Sequence, residues 1–159
     1  MVWGAFSALG KLELRFVSTR MDGREYQQHL TQSLLPFLRR FRRLGLVYQQ
    51  DNAGVHVSKN KRRNDPEFVP MLDWFQTKGI NLLEWPSRSP DLNPIENLWG
   101  IMVRRIYQDN REYQTVNQLK EAITEAWDSV SAELLQKLAD SMKNRIIQVI
   151  QRFGNVTDY

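Results

Sequence analysis

The 159-residue chain contains no cysteine, which excludes a disulfide framework, a thiolate zinc site and thiol catalysis. Histidine is nearly absent as well: only His29 and His56 occur, too few for a histidine-rich metal centre. No apolar run approaches the roughly 18 residues that a membrane helix needs, so no membrane partner is expected. The opening Met1-Val2-Trp3-Gly4-Ala5-Phe6 lacks the charged-then-apolar layout of a signal peptide. These absences read as a soluble, intracellular chain. What is present suits a folded domain. Hydrophobic residues make up 42% and charged residues 25%, and 5 Trp, 5 Tyr and 7 Phe supply bulky surface for a core. The formal net charge is only +4, a modest excess that fits many proteins. Its distribution says more. Arg39, Arg40, Arg42 and Arg43 crowd one stretch, and Lys59, Lys61, Arg62 and Arg63 another. Each cluster reads equally as a phosphate contact or as a solvated helix end or loop.

Along the chain, Val2 to Phe6 and Leu12 to Phe16 are apolar or alternating segments joined by a Gly10-containing turn, and together predict a β-hairpin. From Asp22 the period changes. Tyr26, Leu30, Leu34, Phe37, Leu38 and Phe41 recur at helical steps, predicting a helix that ends near Gly45 and kinks at Pro36. Leu46 to Gln50 reads as a strand stopped by Asp51-Asn52-Ala53-Gly54. Residues 58–70, basic and broken by Pro66 and Pro70, read as a loop. A short helix over Met71 to Lys78, a strand over Ile80 to Trp85 and a proline-bearing loop to Pro94 follow. Three apolar stripes over 95–154 then predict three helices, with Trp85, Trp99 and Trp127 in the core. The order implies an α/β sheet flanked by helices, with extra C-terminal helices.

Two acids stand out by position. Asp51 closes a strand, and open α/β sheets place their sites beyond strand C-termini. Glu96 falls in the first turn of the helix after the next strand, with 44 residues between the two. If those strands are parallel neighbours, both carboxylates arrive at one sheet edge, where a hard cation such as Mg²⁺ accepts a few oxygen ligands. Other readings remain open. Asp51 suits an ordinary turn. Glu96 suits a capping box with Asn93 as N-cap and Pro94 at the first helical position. Asp91 is read as shaping the proline loop, and His56 as a surface residue or a phosphate contact. The run Lys59 to Arg63 reads as a solvated loop, a DNA contact or a nuclear-import signal.

Gln49-Gln50-Asp51-Asn52-Ala53-Gly54-Val55-His56 and Trp85-Pro86-Ser87-Arg88-Ser89-Pro90-Asp91-Leu92-Asn93-Pro94-Ile95-Glu96-Asn97-Leu98-Trp99 resemble the catalytic domain of the Tc-like branch of mariner-superfamily DNA transposases. Val2 to Phe6, Phe16 to Met21 and Ser141-Met142-Lys143-Asn144-Arg145 share the resemblance, which thus runs along nearly the whole chain. It implies a ribonuclease-H-like fold and a DDE-type cut-and-paste mechanism. Asp51 is then the second catalytic acid and Glu96 the third, both holding Mg²⁺ or Mn²⁺. The implied partner is double-stranded DNA at transposon inverted-repeat ends, with a homodimer as a further partner, no small-molecule cofactor, and the nucleus as compartment. His56, Lys59, Lys61, Arg62, Arg63 and Arg88 are candidate DNA contacts.

Two departures from the family pattern are expected to matter. The family's first catalytic Asp lies on a strand upstream of Val-Trp-Gly-Ala-Phe, the segment with which this chain begins. Residues 1–159 therefore read as a partial catalytic domain whose ribonuclease-H-like sheet lacks its first central strand. Such a chain is expected to be catalytically dead or severely weakened by itself. Asp22, at a helix start, is not a replacement. The interval from Asp51 to Glu96 also exceeds the family's usual one, the surplus falling in Lys59 to Val69, an insertion or an untrimmed intron. The rival reading is a non-enzymatic remnant that binds DNA or a protein partner.

Overall fold

The expected hairpin forms, but as four two-residue strands rather than two long ones. In the computed structural model, which describes residues 1–51, 53, 54, 56, 68–86 and 88–159, Val2–Trp3 (β1) pairs with Arg15–Phe16 (β4). Inside them Phe6–Ser7 (β2) pairs antiparallel with Gly10–Lys11 (β3), Phe6 opposite Lys11. Gly10 turns the chain at φ 132°, a conformation that side-chain-bearing residues rarely adopt. The chain forms two compact units: Met1 with Phe16–Arg88, and Val2–Arg15 with Ser89–Tyr159.

In the first unit, helix α1 spans Gly23–Arg40. Asp22 starts it as a complete capping box: its side chain accepts from the Arg24 and Glu25 amides while Glu25 reaches back. That engagement is why Asp22 serves structure. The helix runs without interruption through Pro36 and stops five residues before Gly45, giving way to a 3₁₀ turn at Arg42–Leu44. Val47–Tyr48 (β5) and Asn81–Leu82 (β6) pair in parallel, Val47 opposite Asn81, with helix α2 (Met71–Thr77) between them in sequence. The neighbours are parallel, as the site argument requires. Their ladder is two residues long, and among the described residues neither strand has a second partner. Tyr26, Leu30, Leu34 and Leu35 of α1 close on Phe68, Met71, Trp74, Phe75 and Ile80 to make the core. The loop expected over 58–70 lies outside the described residues up to 67, as do Lys59, Lys61, Arg62 and Arg63.

The second unit holds the three expected helices: α3 (Pro94–Ile106), α4 (Val116–Asp128) and α5 (Ala132–Gln151). Leu98, Met102 and Ile106 pack on Ala126, Trp127 and Leu135, each large side chain worth about 1.5–3 kcal/mol of burial. Trp99 borders this core, whereas Trp85, expected inside, is only half-buried. The hairpin is bolted to the end of α4. Lys11 Nζ donates to the carbonyls of Trp127, Asp128 (2.8 Å) and Val130 (3.1 Å), satisfying acceptors that a helix terminus leaves open. No described helix is long and apolar enough to cross a membrane.

Candidate active site

Asp51 stands three residues beyond the end of β5, exposed, in a turn that its own side chain organises. Its Oδ1 accepts from the Ala53 amide at 3.0 Å and from His56 Nδ1 at 2.5 Å. Both acceptors facing Nδ1, the carboxylate and the Asp51 carbonyl at 3.3 Å, require that nitrogen to carry the proton. His56 is therefore no loose surface side chain. It stacks on Tyr26 with ring centroids 4.6 Å apart. Tyr26 Oη donates to Gln50 Oε1 at 2.8 Å, so the Tyr48 hydroxyl, 3.0 Å away, donates to Tyr26. Gln50 Nε2 donates to the His56 carbonyl at 3.2 Å and closes the network. Burial pushes the Tyr48 hydroxyl up to about 12, helped by the Asp51 charge and opposed by the Tyr26 hydrogen bond, so it stays a neutral donor. The network anchors one carboxylate oxygen and leaves Oδ2 without a protein donor among the described residues.

Glu96 lies in the first turn of α3, in the second unit. The capping-box reading is not realised there. Asn93 is the N-cap and Pro94 the first helical residue, but no side-chain cap hydrogen bond forms. Where boxes do form in this chain, at Asp22/Glu25 and Thr115/Gln118, both reciprocal bonds are present. The Glu96 carboxylate is exposed, with no hydrogen bond or ion pair among the described residues, at a helix end that favours negative charge. It faces an open depression of about 550 Å³ lined also by Asp91, Asn97, Arg104 and Tyr159. Val103, on the same helix, is 53% exposed.

What fixes the Glu96 turn is a residue that pattern reading passed over. Arg145 of α5 is fully buried. Its Nε donates to Ser141 Oγ at 3.0 Å, Nη2 to Asn97 Oδ1 at 2.8 Å and Nη1 to the Asp91 carbonyl. The Tyr159 ring covers the guanidinium, 4.1 Å from its centroid. Asp91 and Asn97 flank Glu96, so one buried fork clamps the proline loop and the helix start together. The only sequence signal was an arginine placed on an apolar helical stripe within the Ser141 to Arg145 block.

Asp91 does shape the loop, as expected. Its Oδ2 accepts from the Thr157 amide at 2.8 Å. Burial raises its pKa, but hydrogen bonds from Thr157 and Leu92 outweigh that and hold the carboxyl below the ordinary 3.8. A depressed carboxylate contributes stability above its unfolded value and loses it as pH falls through the folded one. Asp91→Asn keeps an acceptor oxygen but not the charge. Its deficit in thermal midpoint against wild type is expected to be constant near neutrality and to shrink as pH drops below 3.8. Melts from pH 6 to pH 2.5 check this.

Of the remaining candidate contacts, Arg88 is exposed on left-handed backbone (φ 56°). Among the described residues no group of three His, Asp or Glu gathers as a metal site.

The family described as "DDE superfamily endonuclease" matches residues 1–120. The chain belongs to that family. Its sequence is 47% identical over 159 residues to the transposable element Tc3 transposase of Caenorhabditis elegans, covering all of this chain and 45% of the relative. Against the Tc1 transposase of the same organism it is 35% identical, again over the whole chain and 54% of the relative. The chain thus spans about half the length of the curated relatives it matches. In three dimensions it resembles the solved structure "Mos1 transposase catalytic domain and Raltegravir with Mn", with a TM-score of 0.72 at 18% identity, over 99% of this chain and 82% of that one. That likeness makes the fold ribonuclease-H-like, as expected.

Proposed function

We propose that this chain is a catalytic-domain portion of a cut-and-paste DNA transposase. In it Asp51 and Glu96 serve as two of three acids that hold Mg²⁺ or Mn²⁺ for cleavage and joining of DNA phosphodiesters. The observation that carries this reading is the state of the two carboxylates. Each is exposed, Asp51 three residues beyond β5 and Glu96 in the first turn of α3, and among the described residues each keeps oxygen free of protein donors. Hard oxygen donors of this kind suit Mg²⁺ and Mn²⁺. Ions held by these carboxylates would supply Lewis-acid activation of a water or a 3′-hydroxyl and charge stabilisation of the departing oxygen. The chain's own part is to hold the ligands still. His56 and the Ala53 amide orient Asp51, and Arg145 with Asn97 and Asp91 fixes the turn bearing Glu96. Support for DNA as substrate is the family membership and the transposase relatives. Inverted-repeat ends, a second copy of the chain, and the nucleus complete the proposal.

The test is Mn²⁺ titration calorimetry on the 159-residue chain. Asp51→Asn and Glu96→Gln are each expected to weaken binding more than about tenfold, since even groups outside the ligand shell carry 10–100-fold. In a polypeptide that also carries the family's first acid, each variant abolishes Mg²⁺-dependent nicking of inverted-repeat DNA. Mn²⁺ affinity unchanged in both variants overturns the assignment and leaves the non-enzymatic binding reading.

A further inference from the structure

The proposed chemistry does not use the arginines at the end of α1. Arg39 and Arg40 occupy the last turn of that helix, and Arg42 and Arg43 form the 3₁₀ turn that follows. All four are exposed, and none of their side chains makes an ion pair or hydrogen bond among the described residues. Arg40 rests over the neighbouring Phe41 ring at 5.3 Å. Residues 26–50 contain no Asp or Glu, so nothing within that stretch of chain offsets them. The formal charge of the whole chain is +4, and these four side chains alone account for it. A helix C-terminus attracts cations, yet that effect fades within one turn and asks for one or two, not four beyond and within it.

We infer that this turn is a docking surface for the phosphate backbone of duplex DNA. The spacing supports that partner. Five residues of helical chain rise about 6 Å, over which one duplex strand presents about two phosphates at ~3.4 Å each, and the long arginine side chains extend that reach to neighbouring phosphates. Guanidinium groups match phosphate oxygens bidentately and are weakly hydrated, so little is lost in moving them from water to the backbone. No base edge is read, and the contribution is the same for every sequence. The inference rests on the reading of this chain as DNA-directed, but not on its metal site.

The experiment is fluorescence anisotropy of a 30-base-pair duplex of arbitrary sequence against the 159-residue chain, at several salt concentrations. Replacing all four by Gln (Arg39→Gln, Arg40→Gln, Arg42→Gln, Arg43→Gln) is expected to reduce the slope of log K on log [salt] by about three to four units, at ~0.9 per phosphate. Each single replacement removes about one. The four Lys replacements keep the slope, because an ammonium still releases a counterion. These side chains are exposed, so the thermal melt is expected to stay at the wild-type midpoint, and the single variants carry the test where the quadruple one does not. A slope change below one unit for the quadruple variant overturns the inference. So does polyglutamate displacing the duplex equally well at equal charge concentration, which would mark an acidic-protein surface instead. The Mn²⁺ titration contains no DNA and the anisotropy contains no metal, so failure of the metal assignment appears only in the former and failure of this inference only in the latter.

Discussion

Arg145→Ala is expected to lower the thermal midpoint by about 6–20 °C, corresponding to about 3–5 kcal/mol at ~2–4 °C per kcal/mol. Arg145 is 0% exposed and donates to three acceptors from three segments: Ser141 Oγ, Asn97 Oδ1 and the Asp91 carbonyl. Truncation strands all three in a buried place, and each unsatisfied polar group costs about 1–3 kcal/mol. It also opens a cavity beneath Tyr159, whose ring otherwise lies against the guanidinium. Arg145→Lys keeps the charge but has no planar fork to reach three directions, so it recovers only part of the loss. Arg145→Met fills most of the volume without donors, and separates packing from hydrogen bonding. The effect extends to the candidate site. With the clamp gone, amides of residues 96–98 in the first turn of α3 are expected to exchange faster in hydrogen-exchange measurements, beyond what the lower midpoint alone produces at the far end of the same helix.

How much of this was legible in the sequence divides along range. Features set by neighbours within a few residues were readable: the Asp22 start of α1, the hairpin turn at Gly10, and the apolar stripes of α3, α4 and α5. Strand lengths were over-read because alternation reports burial, not pairing. Ile80 to Trp85 reads as a strand, but only Asn81–Leu82 joins a ladder. Leu12 is buried without belonging to a strand. Asp51 and Glu96 were singled out by their place after strands, and the local pattern for Glu96 was ambiguous because Asn93-Pro94-Ile95-Glu96 has the letters of a capping box. The box is absent, since no Asn93 side-chain bond closes onto the helix. The polar networks were not readable at all. Arg145 meets Asp91 and Asn97 across 54 and 48 residues, and Tyr26 meets Gln50 across 24. No short window contains both partners of such a bond.

Trp127→Ala is the second large effect, again about 3–5 kcal/mol, and it locates the joint between hairpin and helices. The indole is 2% exposed and stacks on Trp99 with centroids 5.6 Å apart. Its Nε1 donates to the Leu12 carbonyl at 3.0 Å, a buried bond across 115 residues. Trp127→Phe keeps an aromatic ring but orphans that carbonyl, for about 1–3 kcal/mol. Gly4 supplies an independent check on the same joint. A Cβ built there lies 2.9 Å from the Cη2 atoms of both Trp127 and Trp99, closer than real side chains approach. Gly4→Ala therefore forces the two rings apart and is expected to cost about 1–3 kcal/mol in the wild-type background. In the Trp127→Phe background, where the outer indole ring is gone, the same substitution meets one obstacle instead of two and costs less. Melts of the four proteins measure this as a coupling energy of about 0.5–3 kcal/mol. A glycine needed only for backbone freedom would show no coupling to Trp127, whereas one needed for closeness to the indole must show it.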